Sequence, residues 1–308
     1  MDDLISRRSF FRRAFAVSAV SLVAGCSKSS SSVPDLVALY STNRVIAAGV
    51  AQQRLPFAVV EEFTNYISDN SELAVNVKSG GKIIDQLTVK AHIVDHDHVG
   101  ISETEPHEHS EIGRYFPLRV NFESPGIYDL EVTFPNGVAS IPVQAFSEAE
   151  VSGIIPGDSF PILETPIDGS GEATENPLDV DKICSRVENC GLHSKSASQL
   201  IGKKPVAILV ATPAFCSTAY CGPVLETMLA LKDEFTNVEM IHLEVYANAE
   251  EVGGDYSNPN IKFAQHMKTL DLEYEPALYL VGSNGILADR LDNIVDQNEF
   301  RAALQGLV

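Results

Sequence analysis

The chain predicts two folded units in series, an all-β domain followed by an α/β domain, behind a short N-terminal leader. From about residue 34 to residue 150, apolar residues recur at every second position or in short runs between turn residues, which is the signature of strands. A stretch carrying Pro156, Pro161, Pro166 and Pro177 then interrupts any regular element. From residue 205 onward, strand-like and helix-like apolar runs alternate. Of the 308 residues, roughly 280 follow the leader, too many for one small core and suited to two domains of ordinary size.

The leader occupies residues 1–26. It opens with Ser6-Arg7-Arg8-Ser9-Phe10-Phe11-Arg12, continues through an apolar run from Ala14 to Ala24, and closes on Val23-Ala24-Gly25-Cys26. Paired arginines before a short, weakly hydrophobic segment match a twin-arginine export signal, and small residues before a cysteine match a lipid-attachment site. The apolar run is about half the roughly 20 residues that span a bilayer. The mature protein is therefore expected to begin at Cys26, outside the cytoplasm, tethered to a membrane by lipid on that residue. Residues 27–33, nearly all serine, read as the flexible tether.

In the first domain, residues 34–150, seven strands are expected over residues 36–40, 55–61, 73–78, 87–94, 115–122, 126–134 and 138–146. Turn signals at Ser79-Gly80-Gly81, Ser124-Pro125-Gly126 and Pro135-Asn136-Gly137 fall between them, as hairpin-linked strands require. Seven short strands of this kind predict an immunoglobulin-like β-sandwich. Two His-x-His pairs, His96 with His98 and His107 with His109, lie near His92. On strands, each pair would share one face and could hold copper or zinc. The competing reading is an exposed, charged loop from Asp95 to Glu111 that happens to contain histidine.

Residues 151–204 form an irregular connector, and residues 205–308 the second core. Strands are expected over 206–211, 238–246, 277–281 and 286–291, with helices over 223–235, 259–269 and 297–307. The order β-α-β-α-β-β-α is that of the thioredoxin core, a parallel pair extended by an antiparallel hairpin.

Once Cys26 is assigned to lipid, Cys184, Cys190, Cys216 and Cys221 remain, an even number in a compartment where disulfides persist. Cys216 and Cys221 sit between the first strand and first helix of the second core. A thiol at that helix start meets unpaired backbone N–H groups and the positive end of the helix, which favour thiolate. Five positions apart in a regular helix, two sulfurs would stand about 8 Å apart, beyond disulfide reach, so at least one must lie outside it. Pro223 suits the first helical turn, and Val224, Leu225, Met228, Leu229 and Phe235 form an apolar stripe for packing on the sheet.

Cys221-Gly222-Pro223 resembles the Cys-Gly-Pro of membrane-tethered thioredoxin-like proteins of the TlpA type, and the resemblance covers roughly residues 153–308. Val224 stands where the family's second cysteine would be, so the second thiol would come from Cys216 upstream. Further on, Glu275-Pro276-Ala277-Leu278-Tyr279-Leu280-Val281-Gly282-Ser283-Asn284-Gly285 is similar to the family's proline, apolar strand and turn. The resemblance implies that Pro276 is a cis-proline lying against the active-site sulfur. It also implies exchange of thiols and disulfides with extracytoplasmic proteins, using a redox-active disulfide and no other cofactor. From its place at the helix start, Cys221 is expected to attack a partner disulfide and Cys216 to resolve the mixed disulfide, with the reverse assignment as the alternative. Thr212-Pro213 followed by Cys216 and Cys221 is similar, too, to atypical two-cysteine peroxiredoxins, although Pro213 and Leu209 occupy the positions of that family's threonine and proline. A Sco-like copper role would need a Cys-x3-Cys pair, and this spacing differs.

Cys184 and Cys190 are expected to close a local structural disulfide, with a relay to Cys216 and Cys221, or four thiolates around zinc, as alternatives. His193 beside them could orient a thiolate or simply be solvated. The formal charge of −20 argues against a nucleic-acid surface. A metal-binding module and an inert interaction lipoprotein remain as other function classes.

Overall fold

The computed structural model describes residues 32–41, 45–61, 65–66, 71–93, 113–168, 183–216, 218–253, 255 and 257–308. The leader with Cys26, and His96, His98, His107 and His109, lie outside the described residues. Among the described residues, no helix is long and apolar enough to cross a membrane.

The first domain contains β1 (Asp35–Ala38), β2 (Gln53–Glu61), β3 (Asn65–Tyr66), β4 (Glu72–Ser79), β5 (Lys82–Lys90), β6 (His92–Ile93), β7 (Arg114–Val120), β8 (Gly126–Phe134) and β9 (Gly137–Ala145). One sheet runs β1-β2-β7-β6, with β3 paired to β2; the other runs β5-β4-β8-β9. Every pairing is antiparallel. Period-2 alternation sends Leu55, Phe57 and Val59, together with Phe116, Leu118 and Val120, into one core with Val75, Val77, Leu130, Val132 and Ile141 of the opposite sheet. The two sheets thus form a β-sandwich. At the start of β8, the Tyr128 hydroxyl donates back to the Ser124 carbonyl (2.6 Å). The strand expected over 87–94 begins instead at Lys82, because Gly80 and Gly81 both take positive φ and close a two-residue hairpin directly after β4.

The second domain contains β10 (Val206–Val210), α1 (Cys221–Leu231), β11 (Glu239–Leu243), α2 (Ala249–Val252), α3 (Gln265–Thr269), β12 (Ala277–Val281), β13 (Leu287–Asp292) and α4 (Gln297–Leu307). Its sheet order is β11-β10-β12-β13, with β10 and β11 parallel and the other two pairings antiparallel. All five residues of β10 and of β12 are buried, since layers cover both faces. Ala207, Leu209, Leu278 and Leu280 pack on Leu225 and Met228 of α1 and on Phe300 and Leu304 of α4. Ile208, Val210 and Tyr279 face Phe160, Leu163 and Met267. The helix expected over 259–269 is helical only from Gln265. Before it, Lys262 accepts from Ala247 N and Ala264 donates to Val245 O, which draws that segment out along the end of β11.

β2 is buried along almost its whole length because the second domain covers its outward face. Ala58 and Tyr115 from that face pack against Ile294. Beside them the buried Arg54 guanidinium grips the Glu299 carboxylate at 2.5 and 2.8 Å and donates to the carbonyls of Asp292 (2.8 Å) and Ile294. The Tyr115 hydroxyl donates to Glu299 (2.7 Å) and accepts from Asp296 N (2.9 Å). Asp296 also caps α4 through Glu299 N and meets His92 Nδ1 at 2.9 Å. Burial works against charge on Glu299, but the charge of Arg54 and its hydrogen bonds outweigh it and hold the carboxyl below its ordinary pKa.

Removing one partner of a buried ion pair strands the other charge. Arg54→Met is therefore expected to lower unfolding stability by about 3–5 kcal/mol in urea titration, and Arg54→Met with Glu299→Leu to recover much of that loss. A single-variant loss no larger than that of a surface ion pair would contradict a buried interdomain pair.

Candidate functional site

The chain leaves β10 at Ala211 and runs through a loop to α1, which starts at Cys221. Cys216 and Cys221 are joined by a disulfide, with Cα atoms 6.0 Å apart. Cys216 lies in the loop and is partly exposed; Cys221 is 0% exposed, seated under the sheet-facing stripe of α1. The expectation that one sulfur lies outside the helix is met by this division.

Three interactions hold the loop. The Thr212 N–H donates to Glu275 Oε2 (2.7 Å), and the Thr212 hydroxyl oxygen accepts from Val245 N (3.0 Å). Ala214 N donates to Ser185 Oγ (3.2 Å), tying the loop to the connector. Glu275 is itself buried, and its Oε2 lies 3.3 Å from Cys221 Sγ. The Thr218 hydroxyl stands 3.4 Å from Cys216 Sγ. The Glu275–Pro276 peptide bond is cis, the form that the sequence resemblance implies. The Pro276 carbonyl accepts from Asn293 N (2.8 Å). Tyr220, next to Cys221, packs on Leu39, Ala58, Tyr115 and Ile294, so the sandwich abuts the start of α1.

Cys184 and Cys190 are both unbonded thiols, so the expected local disulfide does not form. Each faces a histidine instead. Cys190 Sγ is 3.2 Å from His193 Nε2 and 3.6 Å from His242 Nδ1, and Cys184 Sγ is 3.9 Å from His242 Nδ1. One ligand atom from each of the four residues lies within 4.8 Å of the other three. A hydrogen bond from the Cys190 thiol draws the Cys184 pKa strongly down toward thiolate, and the same bond pushes Cys190 strongly up. His193 is not solvated: it is 1% exposed, and burial lowers its pKa. Alongside, burial lifts the Glu244 carboxyl to about 7 and depresses His266 to about 4.

Two thiol groups thus occupy neighbouring places with different chemistry. Cys216 and Cys221 offer a disulfide with one reachable sulfur; Cys184, Cys190, His193 and His242 offer four soft or borderline ligand atoms out of water. Cys216, Cys221 and Pro276 come from the sequence reading, whereas Glu275, His242 and Glu244 do not. The only signals for those were a glutamate directly before Pro276, a histidine in the apolar run of β11 and a glutamate just after its end. No family model matches the chain, and no curated protein sequence matches it.

Glu275→Ala would leave the buried Thr212 N–H without its acceptor and is expected to cost about 1–3 kcal/mol in chemical denaturation, with Glu275→Gln costing less because an amide oxygen can still accept. Equal losses for the two variants would show that Thr212 does not depend on this side chain.

Proposed function

We propose that the protein is an exported, lipid-tethered thiol–disulfide oxidoreductase whose working couple is Cys216 and Cys221. The observation that carries this reading is the disulfide between a reachable loop sulfur and a wholly buried sulfur at a helix N-terminus. A purely structural bridge gains nothing from such asymmetry. In an exchanging couple it separates the sulfur that meets the partner from the sulfur that leaves. The sheet order, with its parallel β10–β11 pair extended by β12 and β13, and the cis bond at Pro276 support a thioredoxin-like fold for the second domain. For the sandwich, the sheets β1-β2-β7-β6 and β5-β4-β8-β9 and the Tyr128 corner bond support an immunoglobulin-like assignment.

In the oxidising direction, a partner thiolate attacks Cys216 Sγ, the Cys216–Cys221 bond breaks, and Cys221 leaves as thiolate. The N-terminus of α1 favours that charge. A second partner thiolate then attacks the partner sulfur of the mixed disulfide and releases Cys216. Two partner thiols lose two electrons and two protons, and the protein couple gains them. Reversal reduces a partner disulfide, with Cys216 attacking and Cys221 resolving. Glu275, against Cys221 Sγ, is placed to exchange a proton with that sulfur. Exposure thus favours Cys216 over Cys221 as the sulfur that meets the partner. The Arg7-Arg8 motif and Cys26 support an extracytoplasmic membrane surface as the setting for this chemistry, where oxidised partners occur.

Cys216→Ser and Cys221→Ser should each abolish turnover in a disulfide exchange assay, and Cys221→Ser alone should accumulate mixed disulfides through Cys216 on non-reducing gels. Turnover retained in both variants would exclude the couple. Trapping only in Cys216→Ser would reverse the two roles.

A further inference from the structure

We propose that Cys184, Cys190, His193 and His242 form a closed, tetrahedral Zn²⁺ site that fastens the connector to the core beside the redox loop. The site is independent of the exchange couple: it uses neither Cys216 nor Cys221, and it stands whether or not that couple turns over.

The geometry is that of a ligand set around a common centre. Zn²⁺ takes thiolate sulfur at about 2.3 Å and imidazole nitrogen at about 2.0–2.1 Å, so a tetrahedral pair of the two stands about 3.5 Å apart. Three of the four sulfur–nitrogen separations here are 3.2, 3.6 and 3.9 Å, and all the ligand atoms lie within 4.8 Å of one another. His242 meets a second requirement of a metal ligand. Its Nε2–H donates to the Ala211 carbonyl (2.9 Å), which leaves the Nδ1 lone pair directed at both sulfurs. His193 presents Nε2 to Cys190, with the two imidazole centres 5.2 Å apart.

Burial and chemistry narrow the ion. Exposure is 5% for Cys184, 5% for Cys190, 1% for His193 and 0% for His242, so no coordination position opens to solvent. Two thiolates and two imidazoles with no open position make a structural site, and that donor set selects Zn²⁺ over the oxygen-seeking Mg²⁺ and Ca²⁺. The two thiolates would balance the charge of the ion in a setting where an isolated charge is costly.

The fold supplies a reason for such a fastening. Between β9 and β10, the described connector contains only two short 3-10 turns, Glu148–Glu150 and Ala197–Gln199, and it pairs with the core by a bridge at Ser159 and by separate backbone bonds, not by a strand of its own. Ser185, beside Cys184, donates its N–H to Glu244 (2.5 Å) and receives Ala214 N from the redox loop. The metal would lock the point at which the connector, β11 and the loop meet, and its binding free energy would become folding free energy.

The test uses the mature chain carrying Cys26→Ser, Cys216→Ser and Cys221→Ser, so that Cys184 and Cys190 are its only thiols, purified without chelator. Elemental analysis should find one zinc per chain. Replacement by Co²⁺ should give the intense visible bands of a tetrahedral ion with thiolate charge transfer. Zn²⁺ removal by chelator should lower the melting temperature, with recovery on adding zinc back. His193→Ala and Cys190→Ser in this background should abolish stoichiometric zinc. Should those variants fail to fold, the cobalt spectrum of the parent chain decides alone. No stoichiometric zinc and no tetrahedral cobalt spectrum in the folded parent would overturn the site. So would zinc retained by folded His193→Ala, or a Cys184–Cys190 disulfide in a non-reduced peptide map of the exported protein.

Discussion

The polar backbone that leaves the buried strand β10 at Ala211 and Thr212 has to be satisfied without water, and much of the second domain is arranged around that need. Both residues are 0% exposed. Glu275 takes the Thr212 N–H, the Thr212 hydroxyl takes Val245 N, and the Ala211 carbonyl takes His242 Nε2–H. A buried N–H left alone would cost about as much as a lost hydrogen bond, so these partners fix the loop with little freedom. One consequence is that the carboxyl of Glu275 comes to lie against Cys221. Another is that His242 is held with its Nδ1 toward Cys184 and Cys190. Both thiol groups are therefore set by the way one strand ends.

The sandwich is coupled to this arrangement from the other side. Arg54 and Tyr115 reach from the outward face of its sheet to Glu299, Asp296 and the carbonyls after β13, while Arg119 forms a two-point pair with Asp289 at 2.8 Å. The Asn293 side chain donates to the Leu39 carbonyl (2.7 Å), and its backbone N–H donates to Pro276. One residue thus links the first domain to the proline that follows Glu275. Because Tyr220 rests on the same apolar contact, the first domain forms one wall beside the loop that carries Cys216.

Much of this was legible in the sequence where the signal is local. The order of strands and helices followed from periodicity, and the Cys216–Cys221 pairing was implied by the resemblance carried by Cys221-Gly222-Pro223, the reach of a helix requiring only that one of the two lie outside it. The start of β5 was misplaced because Ile83 and Ile84 lie on an edge strand with little alternation, while the two glycines before them fixed the hairpin. The cluster of Cys184, Cys190, His193 and His242 was legible only in part. Cys184 and Cys190 six positions apart look like a local bridge, and the histidine that faces both sulfurs, His242, is 52 residues beyond Cys190. It arrives only because β11 pairs in parallel with β10. Glu275 was hidden for a similar reason: a glutamate before a strand is ordinary until the fold buries it beside a sulfur.

The central claim is that the bond between Cys216 and Cys221 is a working couple and not a permanent staple. Equilibrating the protein in defined thiol–disulfide buffers and counting its thiols by mass would give the reduction potential of that pair. A working couple should show a potential above about −300 mV, within reach of exchange with partner thiols, whereas a value below about −300 mV would mark the bond as structural and contradict the proposed function.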